Sequence, residues 1–188
     1  MPPKIKITKE DIIRTAVEIV KAEGASALNA RAVATVLQCS TQPVFSNFAT
    51  MEELRLAVLA EANERCAAYR KQEVERGEYP LYKASGMAYI RFAKEEKELF
   101  KLLYMRDRAG EPMGMEAARD DRMEAIVQSN TGLDVDRAKL FHMEMWAFVH
   151  GIATMFATGF LDLEWTLVSQ MLTDAYQGMR KQYKTEDK

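Results

Sequence analysis

The stretch ALNARAVATVLQCSTQPVFSNFATMEEL, residues 27–54, decides the fold. Asn29 is a good N-cap, and Val33, Ala34 and Leu37 after it form one apolar helical face. Gln38-Cys39-Ser40 interrupts that pattern, and Val44 and Phe48 resume it at i, i+4. Thr50 with Glu53 then makes a capping box that opens another helix. Two short helices joined by a three-residue turn, with a third helix starting behind them, is how proteins place side chains in a DNA groove.

Outward from this stretch the spacing stays helical. On the N-terminal side, Thr8 with Asp11 is a capping box for a first helix that turns Ile12, Ile13, Ala16, Val17 and Val20 inward, and Gly24 stops it. On the other side an unbroken helical run passes through Leu54, Val58, Leu59, Ala62 and Cys66 to about Arg76 and links head to body. Gly77 and Pro80 punctuate; residues 81–94 and 96–105 read as two helices, and 106–114 as a turn-rich loop holding Gly110, Pro112 and Gly114. A helix from about Met115 ends at Thr131-Gly132, a long one from Val135 ends at Gly159, and a last one spans about 164–183 before a frayed tail, 184–188.

No alternating strand and no Asn-Gly hairpin turn appears. The expected fold is therefore all-α. A three-helix helix-turn-helix head, residues 1–50, continues into the linking helix 51–76, and residues 51–188 form a helical body.

Net charge is only −2, so the chain as a whole is no basic nucleic-acid binder and any DNA contact needs a local patch. Residues 1–50 hold six basic against four acidic side chains, a local +2 that leaves −4 for the rest. With 48 % hydrophobic and 29 % charged residues, the chain can bury a core over its 188 residues. Cys39 and Cys66 fall in separate helical units without C-x-x-C spacing, which suggests neither a disulfide framework nor a zinc site. The N-terminus turns polar before an export signal can form, and the greasiest run, 148–163, contains His150 and ends in acid. No membrane contact and a cytoplasmic location are the expectation.

Two histidines cannot build a serine-histidine-acid triad or an H-E-x-x-H zinc motif, and no glycine-rich phosphate loop is present. His142 and His150 stand eight residues apart, about 12 Å of helix rise, too far for one ion. The expectation is no enzyme, no metal and no cofactor. Nine of the twelve methionines lie at or beyond Met105, in a region also rich in aromatics, and methionine adapts to apolar ligands of varied shape; plain core filling accounts for the same pattern.

Residues 8–58 resemble the DNA-binding domain of the TetR family of transcriptional regulators. The likeness is carried by Ile13 to Val20, Glu23 to Ala27, Asn29 to Ala34, Leu37 to Ser40, Val44 to Phe48 and Glu52 to Leu54. Three positions depart from the family pattern. Gln38 stands where the family usually has glycine, Phe45 where tyrosine is common, and Met51 where lysine is frequent, each weakening the hold on phosphate. A looser likeness, MWAFVHGIATMFATG at 145–159, resembles a regulatory-domain subgroup with a tryptophan followed by histidine-glycine, here Trp146, His150 and Gly151.

The resemblance implies a homodimer that places two recognition helices on a palindromic double-stranded operator and answers to a small, apolar effector, most often as a repressor. The recognition helix is expected from Ser40 as N-cap to Phe48, with Thr41, Gln42 and Ser46 facing base edges. Asn29, Arg31, Phe45, Asn47 and Thr50 complete the DNA set, Arg31 and the amides at the Asn29 and Thr50 helix starts holding phosphates. Lys4 and Lys6 lie in an arm that reaches DNA or frays in solvent. The candidate effector set is Tyr89, Phe92, Tyr104, Met123, His142, Trp146 and His150. The last helix carries a stripe, Leu167, Met171, Leu172, Ala175 and Met179, that must be buried on its own body or on a second copy; with Phe156 it is the candidate dimer interface. Two other readings stand beside this one: a dimeric interaction module that has lost DNA binding, which the three departures favour, and a helical enzyme with an unrecognised site.

Overall fold

The protein is seen in a computed structural model that describes residues 7–106 and 120–185. Among these residues the chain forms α1 (Lys9–Glu23), α2 (Ala30–Val36), α3 (Gln42–Asn47), α4 (Met51–Arg76), α5 (Leu81–Glu95), α6 (Lys97–Tyr104), α7 (Asp121–Thr131), α8 (Val135–Thr158) and α9 (Trp165–Thr185), with a 3-10 turn at Ala25–Ala27 and no strand. The fold is all-α, as the periodicity requires. The arm with Lys4 and Lys6, the Gly110–Pro112–Gly114 loop, the expected helix start near Met115 and residues 186–188 lie outside the described residues.

Local chemistry sets the ends. The Thr8 hydroxyl accepts from the Asp11 amide at 3.1 Å while the Asp11 carboxylate accepts from the Thr8 amide at 3.1 Å, a reciprocal pair that starts α1. At α4 the reciprocity is shifted by one residue: Thr50 accepts from the Glu53 amide at 3.2 Å, but the Glu53 carboxylate reaches back to the Ala49 amide at 2.7 Å. Asp134 caps α8 by accepting from the Arg137 amide at 2.9 Å, and Gly159 closes it at φ 71°, where the Phe160 amide reaches back to the Met155 carbonyl.

The described residues divide into two compact units, 7–67 with 96–106, and 68–95 with 120–185. In the first, α1, α2, α3, the N-terminal part of α4 and α6 surround Ile12, Val17, Val20, Val33, Val44, Leu54, Leu99 and Phe100, all shielded from water. α6, which the spacing placed in the body, packs on α1. α1 also buries Thr15 and Ile19 beyond the expected stripe, while Ile13 is only half-buried. Lys21 meets Glu96 at 3.2 Å, and a Cβ on Gly24 would stand 3.0 Å from the Glu98 carboxylate.

In the second unit α5 and α8 pack along each other, with α7 and α9 against them. Gly86 permits that closeness: a Cβ there would meet Leu172 of α9 at 3.1 Å and Val149 of α8 at 3.5 Å. Glu73 on α4 is 1 % exposed, and one of its oxygens accepts from Arg76 at 3.0 Å and Arg91 at 3.1 Å. The Arg91 guanidinium lies 4.4 Å over the Trp165 ring, so one buried carboxylate ties α4 to α5 and, through Arg91, to the start of α9. No helix among the described residues is long and apolar enough to cross a membrane.

Candidate nucleic-acid interface

α2 and α3 pack on each other in the first unit, joined by residues 37–41. The Asn29 carboxamide oxygen accepts from the Arg31 and Ala32 amides at 3.1 and 3.0 Å and thereby starts α2. At the other end the Cys39 amide bonds to the Ala34 carbonyl and the Gln38 amide to the Thr35 carbonyl, the paired pattern of a helix closed by a left-handed residue. That residue is Gln38, at φ 52°. A glutamine thus occupies the backbone conformation that glycine takes without penalty, which gives a physical meaning to the departure seen in the sequence.

α3 begins one residue later than expected, after Thr41 rather than Ser40, and no side chain caps it. Pro43 sits in the first turn, where an amide donor is not needed. Val44 is buried, whereas Gln42, Phe45 and Ser46 are exposed at i, i+3 and i+4, and so form the outward face. Thr41 is half-buried at its edge. Two expected DNA-facing groups are turned back on their own helix: the Ser46 hydroxyl donates to the Gln42 carbonyl at 2.9 Å, and the Asn47 amide to the Pro43 carbonyl at 2.8 Å.

The cations of the first unit are not equivalent. Arg14, Lys21, Arg55 and Arg65 are each paired with a carboxylate. Arg31 is exposed and has no ion pair among the described residues, and neither has Lys9. The Lys9 ammonium lies 5.0 Å from the centre of the Phe48 ring, at the end of α3. In the sequence Lys9 is only one of the six basic side chains of residues 1–50, because nothing in the spacing of α1 reveals that its first residue meets the end of α3. The helix-start amides are less available than expected: Asn29 already occupies two at α2, and Glu52 and Glu53 place negative charge in the first turn of α4.

The second unit brings together most of the candidate effector residues. The Tyr82 hydroxyl is 2.9 Å from His142 Nδ1, the Tyr89 hydroxyl is 2.9 Å from His150 Nδ1, and the Trp146 ring stacks on His150 at 4.9 Å. Burial holds both imidazoles below their usual value, opposed at His142 by Asp120 and Glu124 and aided by Arg70. Burial pushes the Tyr82 phenol upward, with Tyr176 and Asp120 adding to it. Phe92 and Met123 are core residues. Tyr104 belongs to the other unit, where its hydroxyl is 3.6 Å from Cys66 Sγ. Nothing in the local sequence singles out Tyr82, because its partner His142 lies sixty residues away.

The terminal stripe is covered in part by its own protomer. Phe156 and Leu172 are 2 % and 3 % exposed, and Ala175 and Met179 pack against the cluster of Phe141, Met145 and Tyr183. Phe156 and Leu172 are therefore spent on the protomer's own core, while Ala175 and Met179 are only partly covered by it. Met171 is half-buried and Leu167 is exposed, close in sequence to the exposed Met155, Phe160 and Leu161 at the turn between α8 and α9.

A helix-turn-helix head joined to an α-helical second unit defines a class of regulator built to bind DNA. Residues 82–175 match the family described as tetracyclin repressor-like, C-terminal domain. The chain belongs to the TetR-like family of DNA-binding transcriptional regulators, a family of regulators rather than enzymes. Similar solved structures include a TetR-like transcriptional regulator from Rhodococcus sp. RHA1, with TM-score 0.69, 16 % identity, and 95 % of this chain and 98 % of that chain covered. A TetR family member from Streptomyces coelicolor A3 aligns with TM-score 0.60 and 19 % identity over 89 % and 96 % of the two chains. The multidrug binding protein EbrR complexed with imidazole aligns with TM-score 0.57 and 20 % identity over 89 % and 88 %. At these identities the likeness is one of fold. No curated protein sequence matches the chain.

Proposed function

We propose that the protein is a homodimeric, cytoplasmic repressor that binds a palindromic operator sequence-specifically and answers to a small effector bound in its second unit. The observation that supports this reading best is the outward face of α3, where Gln42, Phe45 and Ser46 stand exposed on a helix whose other side is packed. Gln42 suits a bidentate pair with adenine N6 and N7. Arg31 and Lys9, which have no carboxylate partner among the described residues, hold phosphates, with Thr41 and Thr50 adding hydroxyl contacts. Asn29 acts by capping α2, and Asn47 and Ser46 contribute through their remaining donor and acceptor capacity.

In this reading residues 1–50 are the DNA-binding head and 51–188 the regulatory and dimerisation body. Two heads about 34 to 36 Å apart fit successive major grooves. An effector that prefers one conformation of the body shifts the population toward it, and α4, continuous from Met51 to Arg76, carries the change to the head. The surroundings of Trp146, His142 and His150 are mixed rather than purely apolar, since both imidazoles accept or donate hydrogen bonds. Effectors with a flat ring and a hydrogen-bonding group suit them better than a plain hydrocarbon. The multidrug binding protein of the same fold, seen with imidazole, is consistent with such a site.

Selection of bound duplexes from a random DNA pool by the purified protein tests the reading. A palindromic consensus is expected. No enrichment even at low salt, where phosphate contacts are strongest, would overturn it and leave a dimeric interaction module.

A further inference from the structure

Phe45 leaves 51 % of its surface to water on a helix only six residues long, three positions from Gln42. It is the large apolar group on the outward face. A phenyl ring has nothing to offer a phosphate oxygen, and the hydroxyl of Ser46 beside it already spends its hydrogen on the Gln42 carbonyl. The floor of the major groove displays donors and acceptors at every base pair but one apolar group, the C5 methyl of thymine. Three residues of helix advance about 4.5 Å, and base pairs rise about 3.4 Å, so the two side chains address base pairs one or two steps apart.

We propose that Phe45 is a specificity residue that packs its ring on the 5-methyl group of a thymine in each operator half-site, one or two base pairs from the adenine met by Gln42. The assignment rests on the reading that α3 enters the major groove. It turns a departure from the family pattern, loss of a phosphate-binding hydroxyl, into a gain of base readout. The surface that the ring exposes in the free protein is removed from water only when that methyl group is present.

The test replaces each thymine of the selected operator by deoxyuridine, one symmetric pair of positions at a time. This deletes a methyl group and leaves every hydrogen-bonding edge intact. One pair of positions is expected to weaken binding about fourfold per half-site, the worth of one buried methyl-sized group. With Phe45→Ala the same replacement is expected to have no further effect, while Phe45→Tyr keeps the sensitivity. Because Phe45 is half exposed, the variants should fold, and unchanged circular dichroism checks it. An operator that binds the wild-type chain equally well with every thymine replaced overturns the assignment alone. Sensitivity that persists undiminished in Phe45→Ala overturns it too. Failure to select any operator overturns the regulator reading and the assignment together.

Discussion

The Tyr82 hydroxyl lies 2.9 Å from Nδ1 of His142, and one α-helical heptad further along α5 the Tyr89–His150 pair repeats the contact at the same distance. Both imidazoles are held below their usual value of 6.5, chiefly by burial. Neutral imidazole can accept from the phenol; charged imidazole cannot. In the unfolded chain these histidines take up protons near pH 6.5, while in the folded protein they resist until lower pH. The unfolded state therefore binds more protons in that window, so stability rises with pH across it. The contribution is complete above about pH 6.5 and is lost as pH falls through the lowered folded values. Urea midpoints between pH 5 and 8 should show this slope, and a His142→Gln, His150→Gln double variant should flatten it. Tyr82→Phe should cost about 1 kcal/mol at pH 8 and less at pH 5, where the bond is already compromised.

Gln38 holds a left-handed backbone at φ 52°, closing α2. A non-glycine residue there is strained by about 1 to 2 kcal/mol, against roughly 0.5 to 1 kcal/mol that glycine loses by ordering a more flexible unfolded chain. Gln38→Gly should accordingly stabilise the head by about 0.5 to 1 kcal/mol, since the exposed side chain gives up no burial. Thermal melting monitored by circular dichroism should rise by roughly 2 °C or more. A lower midpoint would mean that the Gln38 side chain makes a contact worth more than the strain.

Much of this was legible because local rules and tertiary structure agree. Asn29, Thr8, Gly132 and Gly159 mark helix ends by chemistry that acts within a few residues, so the boundaries of α1, α2 and α8 follow from them. The face of α3 follows from one buried position, Val44, and the spacing around it. What stayed hidden depends on partners distant in the chain. The place of α6 on α1, the Glu73–Arg91 pair and the meeting of Lys9 with Phe48 leave no periodic signature. A terminal apolar stripe likewise does not say whether it covers its own core or a second copy. Ala175 and Met179, partly buried against Phe141 and Tyr183, show that here it covers its own core in part.

Arg31 and Gln42 separate affinity from sequence choice. Arg31→Ala should weaken binding to all duplexes alike and lower the slope of log K against log salt by about 0.9 per half-site, since one phosphate contact is lost in each. Gln42→Ala should instead remove the preference at one base position per half-site, worth roughly 1 to 3 kcal/mol, and leave the salt slope intact. Titrations at several salt concentrations, on the selected operator and on a scrambled duplex, distinguish the two. Identical behaviour of the variants would contradict the division of roles. Lys9→Ala should follow Arg31→Ala, because its ammonium has no carboxylate partner among the described residues.

The dimer contact should involve side chains that the protomer leaves exposed. Phe160 is 75 % and Leu167 48 % exposed, while Leu172 in the same helix as Leu167 is 3 % exposed. A charge at Leu167 meets water in the monomer at little cost but an apolar partner surface in a dimer at high cost. Leu167→Asp should therefore give folded monomers by sedimentation, with helical circular dichroism unchanged and operator affinity reduced because the two half-sites are no longer bound together. Leu172→Asp, which buries the charge in the protomer's own core, should unfold the second unit instead, by several kcal/mol. Met171→Asp, half-buried between them, should do some of each. If Leu167→Asp sediments as an unaltered dimer, the contact lies on another face, and the exposed Val135 and Leu140 of α8 become the residues to substitute next.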